Sequence, residues 1–212
     1  MVRHAASGYA DHEHVFSEPL TAELNRFARE QKVTLNTLVQ AAWLLLLQRY
    51  TGKDTVAFGA TVAGRPADLP GIEQQIGLFI NTLPVIGAPR AEQTVAEWIG
   101  QVQASNLAVR EFEHTPLYDV QRWAGQGGDA LFDSILVFEN YPIDERLNSS
   151  SNNALQFGEA NDRDVTNYAM DLAVHLTDTF SVEFMYLRDS FSEAGTAAIR
   201  DSFECLLNAI LA

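Results

Sequence analysis

The sequence has 212 residues, 47% of them hydrophobic and 20% charged, a composition typical of a soluble globular protein. Its 28 acidic residues outnumber its 14 Lys and Arg and give a net charge of −14, which argues against nucleic acid or an anionic membrane as the partner. The one cysteine, Cys205, excludes an intramolecular disulfide. Because Cys205 lies beside Phe203, Leu206 and Leu207, we predict a buried, unreactive thiol.

The first elements alternate between strand and helix patterns. Residues 12–17 predict a short strand, and a helix begins at Pro19 and extends to about residue 31. A second helix has Thr34 as its N-cap and reaches Tyr50. Its middle, "AAWLLLL" (41–47), is apolar on every side, which predicts a helix covered all round. This run is too short to span a bilayer and no apolar signal segment precedes it, so we expect a cytoplasmic protein.

The next part of the chain contains the first candidate functional residues. Residues 55–62 alternate with a period of two and predict a strand. The Pro and Gly of "GRPADLPG" (64–71) indicate an ordered loop, and "IGLFINTLPVIG" (76–87) is the next extended segment. Asn81 and Thr82 stand within it, and burying an amide and a hydroxyl costs free energy unless each finds a partner. The identity of those partners therefore bears on function.

The rest of the chain continues the mixture of elements. It predicts, in order, a capped helix from Thr94 to about residue 112, a short helix opened by Pro116, a buried strand at 132–138, a polar loop at 144–153, a hairpin of two alternating runs at 170–176 and 180–186, and a last helix from Ser192. We find no internal repeat and no linker. The sequence therefore predicts a single domain over residues 1–212, an α/β fold in which helices cover a layered mixed β-sheet.

No familiar catalytic motif is present. The stretch "TGKDT" (51–55) imitates the end of a phosphate-binding loop, but Leu47 stands where that motif needs a glycine and a helix stands where it needs a strand. We interpret it as a helix-to-strand turn. The sequence also contains no Gly-x-Ser-x-Gly elbow and no Gly-x-Gly-x-x-Gly fingerprint.

Four histidines are candidates for chemistry, and each also has a structural interpretation. His12 and His14 would point to one face of a strand, as a metal pair needs, but no third ligand is evident and solvated surface is favoured. His175 shares a strand face with Asp171, which fits either a catalytic pair or a structural or exposed position. His114, just before the short helix, fits either a cleft or a helix cap.

Several segments, in order, resemble one known family. They are "TLNTLVQAAWLLLLQRYTGKDTVAFGATVAGRPADLPGIEQQIGLFINTLPV" (34–85), "EFEHTPLYDVQRW" (111–123) and "LFDSILVFENYP" (131–142), which are similar to segments of the condensation domains of nonribosomal peptide synthetases. The resemblance covers nearly the whole chain after residue 14. It implies one of two lobes, each similar to chloramphenicol acetyltransferase, with an active-site tunnel between them.

The family's signature, His-His-x-x-x-Asp-Gly, belongs to the first lobe and is missing from this sequence. The chain therefore resembles the C-terminal lobe alone, with no catalytic residue of its own. The resemblance implies no directly bound cofactor and several partners: an N-terminal condensation lobe, peptidyl carrier domains whose phosphopantetheine arms bring thioester substrates, and adjacent synthetase domains. A lobe without its neighbour exposes an apolar seam, so self-association is also expected.

The resemblance also assigns site residues. It places Gly77, Phe79, Asn81 and Thr82 on the tunnel wall. It places Arg65 at the lobe interface, where a planar guanidinium would bind the signature aspartate through two parallel hydrogen bonds. No metal is implied. Relatives often carry an arginine two residues after the Pro of "NTLP", whereas this chain has Ile86.

Two other functions are compatible with the sequence. The chain is either a C-terminal condensation lobe, or a module that binds a carrier domain or another partner without chemistry, or a free-standing acyltransferase that uses His175 or His114. Gene context and an activity screen of histidine variants distinguish them.

Overall fold

The computed structural model describes residues 8–63, 65, 69–126, 130–139, 166–177 and 179–212. The predicted loop at 144–153, half of 64–71 (residues 64 and 66–68) and the end of "LFDSILVFENYP" lie outside the described residues. The elements are β1 (Tyr9–Val15), α1 (Glu18–Glu30), α2 (Leu35–Thr51), β2 (Val56–Val62), a short 3₁₀ helix (Ile72–Gln74), β3 (Asn81–Gly87), α3 (Val95–Arg110), α4 (Leu117–Trp123), β4 (Ser134–Glu139), β5 (Met170–Leu176), β6 (Phe180–Leu187) and α5 (Glu193–Leu211).

The described strands form one six-stranded mixed sheet in the order β1-β6-β5-β4-β2-β3. The outer pairs, β1 with β6, β6 with β5 and β2 with β3, are antiparallel. In the middle, β4 runs parallel to both β2 and β5. The predicted hairpin and the predicted α/β mixed sheet are both confirmed.

The core lies between one face of this sheet and helices α1, α2, α3 and α5. Helix α2 is its centre. The prediction that its apolar middle is covered is confirmed for residues 41–44 and Leu46, which are buried, whereas Leu45 and Leu47 are partly buried. On α5, Phe203 is fully buried and contacts the rings of Phe16, Trp43 and Phe184. The helices therefore cover one face of the sheet.

Caps set the beginnings of these helices as the sequence indicates. The side chain of Thr34 accepts from the backbone N–H of Thr37 at the start of α2, and Thr94 and Glu97 form a reciprocal capping box at the start of α3. At the other end of α2, Gly52 takes a left-handed conformation with φ of 66°, which glycine adopts without steric cost. The turn interpretation of "TGKDT" is thereby confirmed.

The single thiol differs from the prediction, because Cys205 is exposed. The buried stripe of α5 consists of Ile199, Phe203, Leu207 and Ile210. Two residues beyond Phe203 correspond to about 200° around a helix, so Cys205 points away from that stripe. Its apolar sequence neighbours were a misleading guide to its burial.

The opposite face of the sheet has ionisable side chains packed together. Partial burial, and then the charge of Asp11, raises the pKa of Glu183 above its ordinary value of 4.5; Glu13 and Glu139 act in the same direction, and His175 opposes them. Glu13 pairs directly with Glu183 across β1 and β6. The ionised form of Glu183 is therefore disfavoured in the folded protein.

Glu183→Gln is expected to stabilise the protein at neutral pH. A carboxyl whose folded-state pKa is raised binds its proton more tightly when folded, so the folded protein loses stability as the pH rises from the unfolded pKa through the folded one. Urea unfolding at pH 7 should show a higher free energy of unfolding for the variant, and the gain should vanish below about pH 4, where glutamate is protonated in both states. Glu92→Gln, at an exposed position, is the charge-matched control; an equal gain there would contradict the prediction.

Candidate functional site

The segment that precedes β3 is unlike the extended segment predicted from the sequence. Strand β3 begins only at Asn81, and residues 76–80 belong to no helix or strand. Ile76 is fully exposed, and Leu78 is 89% exposed. Removing apolar side chains from water is favourable. The exposed ridge of residues 76–80 therefore has the character of a surface that another protein surface covers.

Arg65 contacts this segment and the 3₁₀ helix before it. Its Nη1 donates to the carbonyl oxygens of Ile72 at 2.6 Å and Gln75 at 3.1 Å. Its guanidinium carbon lies 4.2 Å from the ring centre of Phe79, within the range of a cation–π contact. One side chain thus ties both ends of residues 72–79 together, while its Nε and Nη2 make no hydrogen bond to any described residue.

Arg65→Lys is expected to loosen this segment while leaving the global fold intact. Lysine keeps the charge but has neither the planar fork nor the flat face that covers Phe79. Amide hydrogen exchange of residues 72–80 should accelerate, whereas the free energy of unfolding should fall by no more than about 1 kcal/mol. Arg26→Lys, in the exposed Arg26–Glu30 pair on α1, is the matched control. Unchanged exchange at 72–80 would show that Arg65 does not hold the segment.

Asn81 is a second anchor. Its Nδ2 donates to the carbonyl oxygens of Glu113 at 2.8 Å and Thr115 at 2.7 Å, and its Oδ1 accepts from the backbone N–H of Thr82 at 2.9 Å. The amide side chain thereby joins the start of β3 to the loop between α3 and α4. Both of its donor hydrogens are engaged inside the chain, so Asn81 fixes the start of β3 to this loop.

Thr82 has a different position from its neighbour. Consecutive residues of a strand point to opposite faces of the sheet, and Leu83 and Val85, two and four residues after Asn81, are the buried core residues of β3. Thr82 lies on the other face, where its methyl group is close to Gly59. The two polar residues that the sequence groups together therefore do not act from the same face.

Neither His114 nor His175 has the surroundings that a catalytic role suggested by the sequence would need. His114 is exposed in the loop held by Asn81, and it does not cap α4, whose N-cap is Pro116. His175 Nδ1 lies 3.2 Å from Glu139 and does not pair with Asp171. Four residues of strand separate His175 from Asp171 by about 13 Å. The alternative of a catalytic His175–Asp171 pair is wrong on distance.

Asp171 has a structural role instead. It is buried, and the hydroxyl of Thr166 donates to its carboxylate at 2.7 Å. Burial raises the pKa of Asp171, and the hydrogen bonds from Thr166 partly oppose that rise.

His12 and His14 contact α5 rather than solvent alone. His14 Nε2 lies 3.1 Å from Glu204, and His12 contacts Arg200. No group of three or more His, Cys, Asp or Glu side chains suited to a metal occurs within the described residues. In the same part of the chain, no helix combines the length and the apolar character that a bilayer span needs.

Comparison with known proteins identifies the family. The condensation domain model matches residues 3–212, and the chain belongs to this family. It is 42% identical over 186 residues, 87% of its length, to a linear gramicidin synthase of Brevibacillus parabrevis, and 50% identical over 125 residues, 58% of its length, to a chondramide synthase of Chondromyces crocatus. It spans only 2% and 3% of the lengths of those two relatives.

Solved structures share the fold at low sequence identity. A holo four-domain nonribosomal peptide synthetase bound to AMP and glycine matches with a TM-score of 0.82 and 16% identity, over 96% of this chain and 17% of that one. The condensation domain of the monacolin K polyketide synthase matches with a TM-score of 0.78 and 14% identity, over 99% of this chain and 49% of that one. These likenesses confirm the predicted fold class.

Proposed function

We propose that the chain is the C-terminal lobe of a nonribosomal peptide synthetase condensation domain, and that it forms one wall of the tunnel in which an amide bond is made. The observation that carries this proposal is the exposed apolar ridge of residues 76–80, which Arg65 and Asn81 hold in place. A loose loop would not need two such anchors. The match over 49% of a solved condensation domain is the fraction that one of two lobes would give.

The substrates in this proposal arrive on partner domains. Two peptidyl carrier domains bring aminoacyl or peptidyl thioesters on phosphopantetheine arms, and the chain itself binds no cofactor. The tunnel wall is formed by Gly77, Phe79 and Thr82, with Asn81 positioning it. Gly77 fits close packing, because a Cβ there would lie 3.2 Å from the ring of Phe79.

The chemistry is an acyl transfer. The amine on the acceptor carrier attacks the carbonyl carbon of the donor thioester, the C–N bond forms, the C–S bond breaks, and the proton lost by the amine balances the one gained by the donor thiol. The walls would contribute by holding the two arms in contact geometry. The chain contains no His-His-x-x-x-Asp-Gly sequence, so the proton transfer is assigned to the other lobe, and this chain alone is expected to be inactive.

Arg65 has capacity for a second contact in this arrangement. Only its Nη1 is engaged by the carbonyls of Ile72 and Gln75. Its Nε and Nη2 would be the donors for the signature aspartate of the N-terminal lobe. Arg65 would then link the ridge of residues 76–80 to the catalytic motif.

A chimera tests the proposal. The N-terminal lobe of a condensation domain from the linear gramicidin synthase is fused to this chain, and dipeptide formation between two loaded carrier domains is followed by mass spectrometry. We expect product from the chimera and none from the isolated chain. Phe79→Ala with Thr82→Val should lower turnover by roughly tenfold or more, with little change in melting temperature.

Two outcomes would contradict the proposal: product from the isolated chain, or no product from a chimera that melts cooperatively. Retained carrier binding without product would favour the non-catalytic binding module. Light scattering on the isolated chain and on an Ile76→Ser, Leu78→Ser variant shows whether the exposed ridge causes self-association.

A further inference from the structure

A cavity of about 520 Å³ lies at the opposite end of β2 from the ridge of residues 76–80. Strands β2 and β4 pair only at Gly59 with Ile135 and at Ala60 with Leu136. The cavity opens beside Val56 and Ala57, ahead of this pairing and of the start of β4 at Ser134. Asn81 pairs with Val62, six residues beyond Val56 along β2, so the end of the cavity beside Val56 lies about 20 Å from Asn81. The lining residue Phe132 comes nearer to the proposed wall, because its ring and the methyl group of Thr82 both lie against Gly59.

The floor of the cavity is apolar and buried. Trp43, Phe132 and Met170 line it, and each is at most 5% exposed. The indole N–H of Trp43 donates to the hydroxyl of Ser134 at 3.2 Å, so these two polar atoms satisfy each other. The floor thus offers apolar surface to anything that enters, and no buried charge.

The rim is polar and electrically balanced. It contains the hydroxyls of Thr51 and Thr55, the ammonium-bearing Lys53 and the carboxylate-bearing Asp133. One cation and one anion leave no net charge at the mouth. A charged ligand would lose hydration on entering the apolar floor without a matching partner there, and an anion would also meet a protein of net charge −14.

We propose that this cavity binds a neutral, largely apolar small molecule that has a single hydrogen-bonding group at the rim. Its volume lies within the range of about 300–1,000 Å³ that is usual for small-molecule sites. None of residues 76–82 lines the cavity, and binding there needs neither a carrier domain nor a second lobe. Its test is therefore independent of the proposed function.

The test uses the neutral fluorescent amine N-phenyl-1-naphthylamine with the full chain. We expect saturable binding of one probe per chain with enhanced emission. The chain has three tryptophans, and only Trp43 lines the cavity. The indole N–H signal of Trp43 in a nitrogen–proton correlation spectrum should move, while those of Trp98 and Trp123 stay. Absence of binding, or shifts at Trp123 without a shift at Trp43, would overturn the proposal.

A filling variant provides a second, independent readout. Ala57→Phe places a ring in the cavity from the start of β2 and should weaken probe binding by roughly tenfold or more. Ala104→Phe, on the exposed side of α3, is the matched control and should bind like the parent. If both variants bind equally, the probe occupies another place and the proposal fails. If Ala57→Phe does not fold, the Trp43 signal of the parent protein decides.

Discussion

Asn81→Asp is expected to lower the free energy of unfolding at pH 7 by about 2–3 kcal/mol. Aspartate has nearly the same shape as asparagine, but the change removes both hydrogen-bond donors from this half-buried side chain. The carbonyl oxygens of Glu113 and Thr115 lie 2.8 and 2.7 Å from the nitrogen that the variant replaces. A carboxylate oxygen at that distance repels both. Urea unfolding monitored by fluorescence measures the loss.

The pH dependence of this loss distinguishes the missing donors from a general loss of packing. A carboxyl held against two carbonyl oxygens is disfavoured in its charged form, so its pKa in the folded variant should rise. Protonation then restores one donor, and the penalty relative to the parent protein should shrink as the pH falls from 7 towards 4. A stability penalty that stays constant over this pH range would contradict the two hydrogen bonds donated by Asn81 as its cause.

Thr82→Val is the control at the neighbouring position. No described residue hydrogen-bonds to the hydroxyl of Thr82, so the nearly isosteric valine should change stability by less than about 1 kcal/mol. In the lobe chimera, turnover should fall more for Thr82→Val than for Asn81→Asp, the reverse of the order in stability. The reason is that Thr82 belongs to the proposed wall surface, whereas Asn81 acts by positioning it. Similar stability losses for both variants would show that the two residues share one structural role.

The helices and most strands were predictable because their signals are local. Thr34, Thr94 and Ser192 each stand three residues before the backbone N–H that they accept from, and such spacing is visible in a sequence. The alternation of apolar residues in β5 and β6 is equally local, although both faces of these interior strands are largely buried. These features set the fold class without any long-range information.

The candidate site was less accessible to sequence reasoning. The partners of Asn81 are backbone carbonyls 32 and 34 residues away. Because every residue has a backbone carbonyl, the residue types do not show which carbonyls lie near Asn81. The same applies to Arg65, whose acceptors are the carbonyls of Ile72 and Gln75. The apolar pattern of residues 76–80 suggested burial within the chain, but apolar character alone does not distinguish a core from a surface that a partner covers.

The cavity was missed for a related reason. The side chains of its floor look like ordinary core residues in the sequence, and two of the buried lining residues, Trp43 and Leu46, belong to α2. The cavity lies ahead of the parallel pairing of β2 with β4, which joins residues more than seventy positions apart and has only two matched pairs. No local pattern reports where such a pairing begins.

Gly59→Ala is expected to destabilise the protein by about 1–3 kcal/mol through overpacking. A Cβ at Gly59 would lie 2.4 Å from Cε2 of Phe132 and 2.8 Å from the methyl group of Thr82. Phe132 is itself buried, with its ring 5.3 Å from that of Tyr168, so it has little room to move aside. This glycine is therefore required by close approach across the sheet face that bears Thr82.

A double variant and a glycine substitution in a helix test whether overpacking causes the stability loss of Gly59→Ala. Phe132→Leu removes the ring atoms that the new methyl group meets, so the Gly59→Ala, Phe132→Leu protein should be more stable than the sum of the single changes implies. Gly100→Ala in α3 has no atom within 4 Å of the added Cβ and should instead stabilise by about 0.5–1 kcal/mol, because alanine favours helix. Phe132 lines the cavity, and Gly59 lies against both Phe132 and the proposed wall residue Thr82. If the stability losses of Gly59→Ala and Phe132→Leu simply add, the contact between residue 59 and Phe132 is not the cause of the destabilisation. The packing of this sheet face would then not hold the wall in place.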